Sequence, residues 1–195
     1  MSRPRLIVGV SGASGPRLAW VLLGALRELG GIETHLVLSP GARRTIELEL
    51  EEPQAALEAL ADVVHASGDL AAPLASGSFV TTGMVVIPCS MRALAAVAAG
   101  ISTDLLTRAA DVCLKERRRL VLVPRETPLS LVHLRNMETV TLAGATVLPP
   151  VPAFYHRPRT IDDLLAHTAG KVLDQFGIAH DLYRRWAGDP AEDRG

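Results

Sequence analysis

An arginine and a glutamate directly follow an apolar run at Leu120-Val121-Leu122-Val123-Pro124-Arg125-Glu126. A guanidinium can grip two oxygens of a phosphate, and a neighbouring carboxylate can take or give a proton. The segment just upstream, LTRAADVCLKERRR, adds Arg108 and Lys115 on what reads as a basic helix. Two further apolar runs end in serine, at Ser39 and Ser90, and another ends in the glycine-rich turn Ser11-Gly12-Ala13-Ser14-Gly15. Glycine lets the backbone approach a ligand closely, a helix N-terminus offers free N–H groups to an anion, and a serine hydroxyl adds a donor. A charged helix is by itself usually a solvated face, and a Gly-rich turn is often only a turn. The weight lies in the same kind of polar group recurring at successive run ends.

The elements that must position these groups alternate. Residues 6–10 form a short apolar run of the kind found in strands buried on both faces. Leu18, Val21, Leu22, Ala25, Leu26 and Leu29 then recur at helical spacing until Gly30-Gly31 stops the helix. Ser14 is the expected cap of that helix, with Pro16 near its first turn. The pattern continues with a strand over 34–38, a helix over 42–50, a helix over 54–60 and a short strand over 61–65. Ala75-Ser76-Gly77-Ser78 reads as a small-residue loop. A strand over 84–87 ends at Pro88-Cys89-Ser90, followed by an alanine-rich helix over 92–99 that Gly100 terminates. Helix 105–118, strand 120–123, helix 131–142, strand 146–148 and helix 160–176 complete the series. This alternation predicts an α/β fold with a parallel sheet and helices on both faces, in three layers. Domain organisation is expected to be one domain over 1–195, with a core of about 5–178 and a C-terminal tail over 179–195.

Composition narrows the function classes. The chain has 195 residues, suited to one domain, and 48% hydrophobic content, enough for a sizeable core. Its formal net charge of −1 gives nucleic acid no general attraction. No apolar run approaches the roughly 20 residues that span a bilayer. The basic start Met1-Ser2-Arg3-Pro4-Arg5 is followed by a run too short for a secretion signal, so the protein is expected in the cytoplasm, away from membranes. Cys89 and Cys113 form no CxxC pair and read as structural thiols, and the six histidines show no metal-ligand spacing. No metal is expected.

In open α/β sheets ligands bind beyond the carboxyl ends of strands. Gly12 to Gly15, Ser39, Ser90 and Arg125-Glu126 all fall at such ends. The turn SGASG is GxxG rather than GxGxxG, and no acidic residue ends the second strand to hold a ribose, which disfavours NAD. Together these features favour flavin mononucleotide or a similar phosphate-bearing ligand.

The chain resembles the flavin prenyltransferases of the UbiX type over about residues 6–186. The matching stretches are GVSGASG (9–15), THLVLS (34–39), ASGSF (75–79), PCSM (88–91), RAADVCLKERRRLVLVPRETPL (108–129), HLRNM (133–137) and PAFYHRP (152–158). The resemblance implies a Rossmann-like, flavodoxin-type fold, a single flavoprotein domain, and a prenyltransferase that needs no metal and joins the allyl group of dimethylallyl phosphate to N5 and then C6 of reduced FMN. Prenylated FMN, the product, serves UbiD-type decarboxylases, and such enzymes usually assemble as homo-dodecamers. By the same resemblance Gly12, Ala13, Ser14, Ser39, Ser90, Met91, Arg92, Ala93 and Arg125 line the FMN site. The prenyl phosphate meets Ser14, Arg108, Lys115, Arg125, Tyr155 and Lys171, while Glu49 and Glu126 lie near the reacting atoms and Trp186 closes the pocket. Ser14, Glu49, Lys115 and Glu126 are the implied catalytic set.

The residue chemistry agrees with these roles. Phosphate departure from an allylic carbon leaves a cation, which π-faces shelter, and an anion, which cationic side chains and a phenol stabilise. The chain departs from the usual family pattern at Pro16, at Thr103-Asp104, at Arg135 and at Lys171, where Arg is usual. Two other readings compete. An FMN-dependent cysteine-type decarboxylase would carry an Asn-rich motif after the middle strand, where this chain has PCSMRAL. A non-catalytic flavin-carrying subunit of a decarboxylase would have no need of Lys115, Glu126 and Tyr155.

Overall fold

The structure, a computed structural model, describes residues 3–188. Residues 189–195 of the expected C-terminal tail lie outside the described residues. The strands are β1 (Arg5–Val10), β2 (Glu33–Leu38), β3 (Val63–His65), β4 (Gly83–Cys89), β5 (Arg119–Pro124) and β6 (Thr146–Val147). The helices are α1 (Arg17–Leu29), α2 (Pro40–Glu49), α3 (Gln54–Glu58), α4 (Met91–Ala98), α5 (Leu105–Lys115), α6 (Leu131–Leu142) and α7 (Ile161–Gln175). All strand pairs are parallel, in the order β3-β2-β1-β4-β5-β6. The chain steps outward from β1 to β3, returns to β4 and steps outward the other way. The switch point therefore falls between β1 and β4, where Val8 is paired with Leu36 on one side and Val85 on the other.

Side chains of successive strand residues point to opposite faces, so each strand feeds two cores. Leu6, Val8, Val10, Val85, Ile87, Val121 and Val123 pack against Leu22, Leu23 and Leu26 of α1 and Val172 and Leu173 of α7. Ile7, Met84, Val86, Leu120 and Leu122 pack against Leu94 of α4, Leu106 and Ala110 of α5 and Val140 of α6. The result is the expected three-layer, flavodoxin-like α/β fold. Each fully buried leucine or isoleucine contributes roughly 1.5–3 kcal/mol relative to exposure. Among the described residues no helix is long and apolar enough to cross a membrane.

Two local expectations are corrected. Ser14 does not cap α1: Pro16 occupies the cap position, in helical conformation, and no side chain caps the helix. The Ser14 hydroxyl instead donates to Glu49. The helix expected over 105–118 ends at Lys115. Arg117 takes a left-handed conformation with φ of 55°, and the N–H groups of Arg118 and Arg117 return to the carbonyls of Cys113 and Leu114. That is the Schellman closure, which glycine usually supplies and sequence alone does not announce when an arginine stands there. The Arg118 guanidinium stabilises the departure by donating to the Phe79 and Gly77 carbonyls at 2.8 and 2.5 Å.

Candidate functional site

Three helices begin at the carboxyl edge on either side of the switch point, and each is capped. Ser39 Oγ accepts from the Ala42 N–H at 3.1 Å, Ser90 Oγ from the Ala93 N–H at 3.2 Å and Asp104 Oδ1 from the Thr107 N–H at 2.8 Å. A capping hydroxyl spends its acceptor on the helix and keeps its O–H hydrogen for a ligand. Ser11 bolts the two halves of the sheet together. Its hydroxyl donates to the Pro88 carbonyl at 3.0 Å and accepts from the Ser90 N–H at 2.7 Å.

The cleft so formed is about 590 Å³ and is lined by Ser11, Gly12, Ser39, Gly41, Ser90, Arg92, Ala93, Ala96, Thr103, Asp104, Leu106 and Thr107. Its floor is bare backbone. A Cβ built on Gly12 would lie 2.9 Å from the Cα and carbonyl carbon of Gly41, so the β1 and β2 loops touch only because both residues lack side chains. Helix N-termini, serine hydroxyls, an exposed arginine and a glycine cradle together fit the phosphate and ring of a mononucleotide. Of the sequence-expected flavin residues, Gly12, Ser39, Ser90, Arg92 and Ala93 line this cleft. Ser11, Gly41, Thr103, Asp104 and Thr107 also line it and were not expected there. The signals for the first two, the leading serine of SGASG and the glycine of Ser-Pro-Gly, were present in the sequence.

Four other groups of expected residues stand elsewhere. Ser14 and Glu49 come together beside the cleft: Glu49 Oε2 accepts from Ser14 Oγ at 3.1 Å and from the Gly15 N–H at 2.8 Å. The Arg125 N–H donates to the Cys89 carbonyl at 3.1 Å, which ties the end of β5 to β4, and the Arg125 and Glu126 side chains are exposed. On α5, Arg108 donates to the Ala75 carbonyl at 3.1 Å and to Asp111 at 2.6 Å, and Lys115 pairs with Glu116. Lys115 lies eleven residues beyond the Asp104 cap, about 16 Å down the helix axis, at the opposite edge of the sheet.

The last group is an aromatic wall on α7. Tyr155 meets Trp186 edge-on with ring centroids 6.0 Å apart, and its hydroxyl lies 3.4 Å from His167 Nε2. Tyr155, Arg157, Arg184, Arg185 and Trp186 enclose a second, cationic hollow of about 710 Å³. Lys171 Nζ lies 3.6 Å from Asp174 Oδ2. Burial, reinforced by His156 and Lys171, holds the His167 imidazole below its ordinary value, so at neutral pH it is an uncharged partner for the phenol. His156 stacks flat on His167 at 5.1 Å, and both its ring nitrogens are buried without a partner. Burial pushes the thiols of Cys89 and Cys113 up to about 12, which removes them as thiolate nucleophiles.

The Flavoprotein family model matches residues 1–172, which gives the class that the fold and the cleft define. Flavin prenyltransferase UbiX of Escherichia coli (strain K12) is 53% identical over 186 residues, covering 94% of this chain and 98% of the relative. A crystal structure of AnUbiX (PadA1) in complex with FMN and dimethylallyl pyrophosphate superposes with a TM-score of 0.94 at 51% identity, covering 96% of this chain and 99% of that one. A dodecameric FMN-dependent Ubix-like decarboxylase from Escherichia coli O157:H7 gives a TM-score of 0.92 at 53% identity, covering 94% and 100%. The peptidyl-cysteine decarboxylase EpiD, at 16% identity and a TM-score of 0.63, shares the fold alone. The chain belongs to the Flavoprotein family and, within it, to the UbiX-type flavin prenyltransferases.

Proposed function

We propose that this protein, as one flavoprotein domain, joins the dimethylallyl group of dimethylallyl phosphate to reduced FMN and releases prenylated FMN for a UbiD-type decarboxylase. The observation that carries the reading is the switch-point cleft, where three capped helix N-termini and the Gly12–Gly41 contact make a cradle for a mononucleotide phosphate. Reduced FMN, when bound, supplies the nucleophilic N5 and then C6. Gly12, Ala13, Ser39, Ser90, Met91, Arg92, Ala93 and Arg125 hold and orient it. Tyr155, Lys171, Arg108, Lys115 and Arg125 stabilise the phosphate that leaves the allylic carbon. The Glu49 carboxylate fixes the Ser14 hydroxyl, and Glu126 takes up the proton released on ring closure. Trp186 and Tyr155 present π-faces to the allyl group and exclude water.

Within one chain Lys115 and the cleft lie at opposite edges of the sheet. We read this as a site completed between copies, with α5 cations of one protomer serving the cleft of another. The dodecameric state of a relative 53% identical supports a homo-oligomer. The protein is incubated without oxygen with reduced FMN and dimethylallyl phosphate, and the flavin is weighed by mass spectrometry. A flavin heavier by one isoprenyl unit is expected; unchanged FMN overturns the reading.

A further inference from the structure

Asp174, in the last turn of α7, collects groups from both the helix and the segment that follows it. Tyr183 Oη donates to its Oδ2 at 2.6 Å. Arg185 donates to Oδ1 at 2.7 Å and to Oδ2 at 3.2 Å. His180 Nε2 lies 3.2 Å from Oδ1, and Lys171 Nζ lies 3.6 Å from Oδ2. Burial would push this carboxyl up, but the hydrogen bonds from Arg185 and Tyr183 outweigh it and hold the group well below the usual carboxylate range. It is an ionised hub, and bidentate Arg–carboxylate pairs with added donors are the strong kind. Gly170, one turn up, provides the notch for the rings: a Cβ there would lie 2.6 Å from the Tyr183 ring and 2.7 Å from the His180 ring.

What the hub holds has no helix or strand of its own. Residues 178–188 run irregularly back along α7, with Ile178 and Leu182 packed on the core. Trp186 follows Arg185 directly and is 67% exposed, so burial does not fix its indole. The edge-on contact with Tyr155 depends on where the preceding residues are tied, and they are tied to Asp174. The same carboxylate holds the ammonium of Lys171. One side chain therefore sets three members of the wall, Trp186, Arg185 and Lys171, without lining the cationic hollow itself.

We propose that Asp174 is the positioning residue of the prenyl-phosphate wall, clasping residues 178–188 onto α7 so that Trp186 stands against Tyr155 before the substrate arrives. The proposal rests on the flavin-prenylation reading and deepens it. A tied wall spares the substrate the cost of ordering a loose tail. Loss of the clasp therefore acts on the prenyl phosphate and not on the flavin, which the cleft holds separately.

The chain has two tryptophans, so Trp20→Phe leaves Trp186 as the only indole emitter. In that background Asp174→Asn is expected to red-shift Trp186 emission and raise the apparent KM for dimethylallyl phosphate about tenfold. The change in kcat should be smaller, FMN affinity should stay within about twofold, and Asp174→Glu should recover part of the KM. Wild-type emission together with a wild-type KM in Asp174→Asn overturns the proposal. If that variant loses helix content, Tyr183→Phe removes one bond and keeps every charge; the same two signals should move in the same direction, and their absence overturns the clasp. If the unvaried protein makes no prenylated flavin, the flavin-prenylation reading fails, and the emission arm still decides whether Asp174 sets Trp186.

Discussion

In the cleft between β1 and β4, the polar groups belong to backbone or to short side chains anchored on backbone. Ser39 and Ser90 each spend one hydrogen bond on the main chain and Ser11 spends two, and the floor is the Gly12–Gly41 contact. The wall around Tyr155 is built the other way. Its groups are long side chains from residues 155, 171, 185 and 186, much exposed, and one carboxylate ties Lys171 and Arg185 directly. The first region is as rigid as the sheet beneath it; the second is as rigid as Asp174 makes it. On the proposed reading this division suits two ligands with different demands. A flavin is large, enters a preformed cradle and stays through the reaction. A small allylic phosphate must be enclosed, must lose its phosphate and must let it depart. Separate regions let the second ligand exchange without loosening the first.

The largest expected effect separates chemistry from binding. Glu126 sits at the end of β5 with its side chain exposed, and Oε1 accepts the Thr127 N–H at 2.9 Å. The role proposed for it is proton transfer, because a carboxylate would repel the FMN phosphate rather than hold it. Glu126→Gln keeps the shape and removes the ionisable group. Turnover is expected to fall by about 10²–10⁴-fold, the usual worth of a positioned acid–base group, with FMN affinity nearly unchanged. Single-turnover formation of prenylated FMN, set beside a flavin titration, reads both numbers. Normal turnover in the variant removes the proton-transfer role.

A smaller effect tests the cleft alone. Gly12→Ala places a methyl 2.9 Å from the Gly41 backbone, so the β1 and β2 loops must separate. FMN affinity is expected to drop about tenfold or more, and the apparent KM for dimethylallyl phosphate at saturating FMN to change little. If both parameters move together, the two regions are one site and the comparison drawn above fails.

The two regions also differ in how far sequence alone discloses them. Strands buried on both faces, glycine stops and serines at strand ends are local signals, and each maps onto one element and one edge. The fold, and most of the cleft, follow from them. The role of Gly41 is not legible in sequence because it is set by Gly12, twenty-nine residues away, and no pattern in either segment shows that two backbones will touch. The wall follows from no local pattern. By spacing alone Tyr155 and Trp186 are ordinary aromatics and Lys171 is a lysine on the polar side of a helix. Only the family resemblance singles them out, and it passes over Asp174, which ties Lys171 directly and Trp186 through Arg185. The end of α5 is hidden from local sequence for a related reason: its closure at Arg117 depends on Arg118 finding the Gly77 and Phe79 carbonyls across the fold.

The smallest expected effect is a response to acid that touches the wall and leaves the cleft alone. No histidine lines the cleft, whereas His167 stands behind Tyr155 with His156 stacked on it and with Lys171 and Asp174 nearby. Burial, then His156 and Lys171, hold the folded imidazole below its ordinary value of 6.5, and Asp174 offsets this only in part. The unfolded chain therefore binds more protons than the folded one as pH falls below that value. Stability rises with pH under that condition, so the contribution is whole above about 6.5 and is lost on acidification through the lower folded value. His65, depressed by its own burial and by His35, adds to the same slope. Moving from pH 7.5 to 5.5 is expected to lower the melting temperature by about 2 °C or more from these groups together. His167→Asn should make the slope shallower and His65→Asn should do so independently. In the Trp20→Phe background, Trp186 emission should shift over the same interval in the parent and stay flat in His167→Asn. A parent emission that is flat from pH 7.5 to 5.5 would mean that the wall does not feel His167, and would leave Asp174 as the sole determinant of where Trp186 stands.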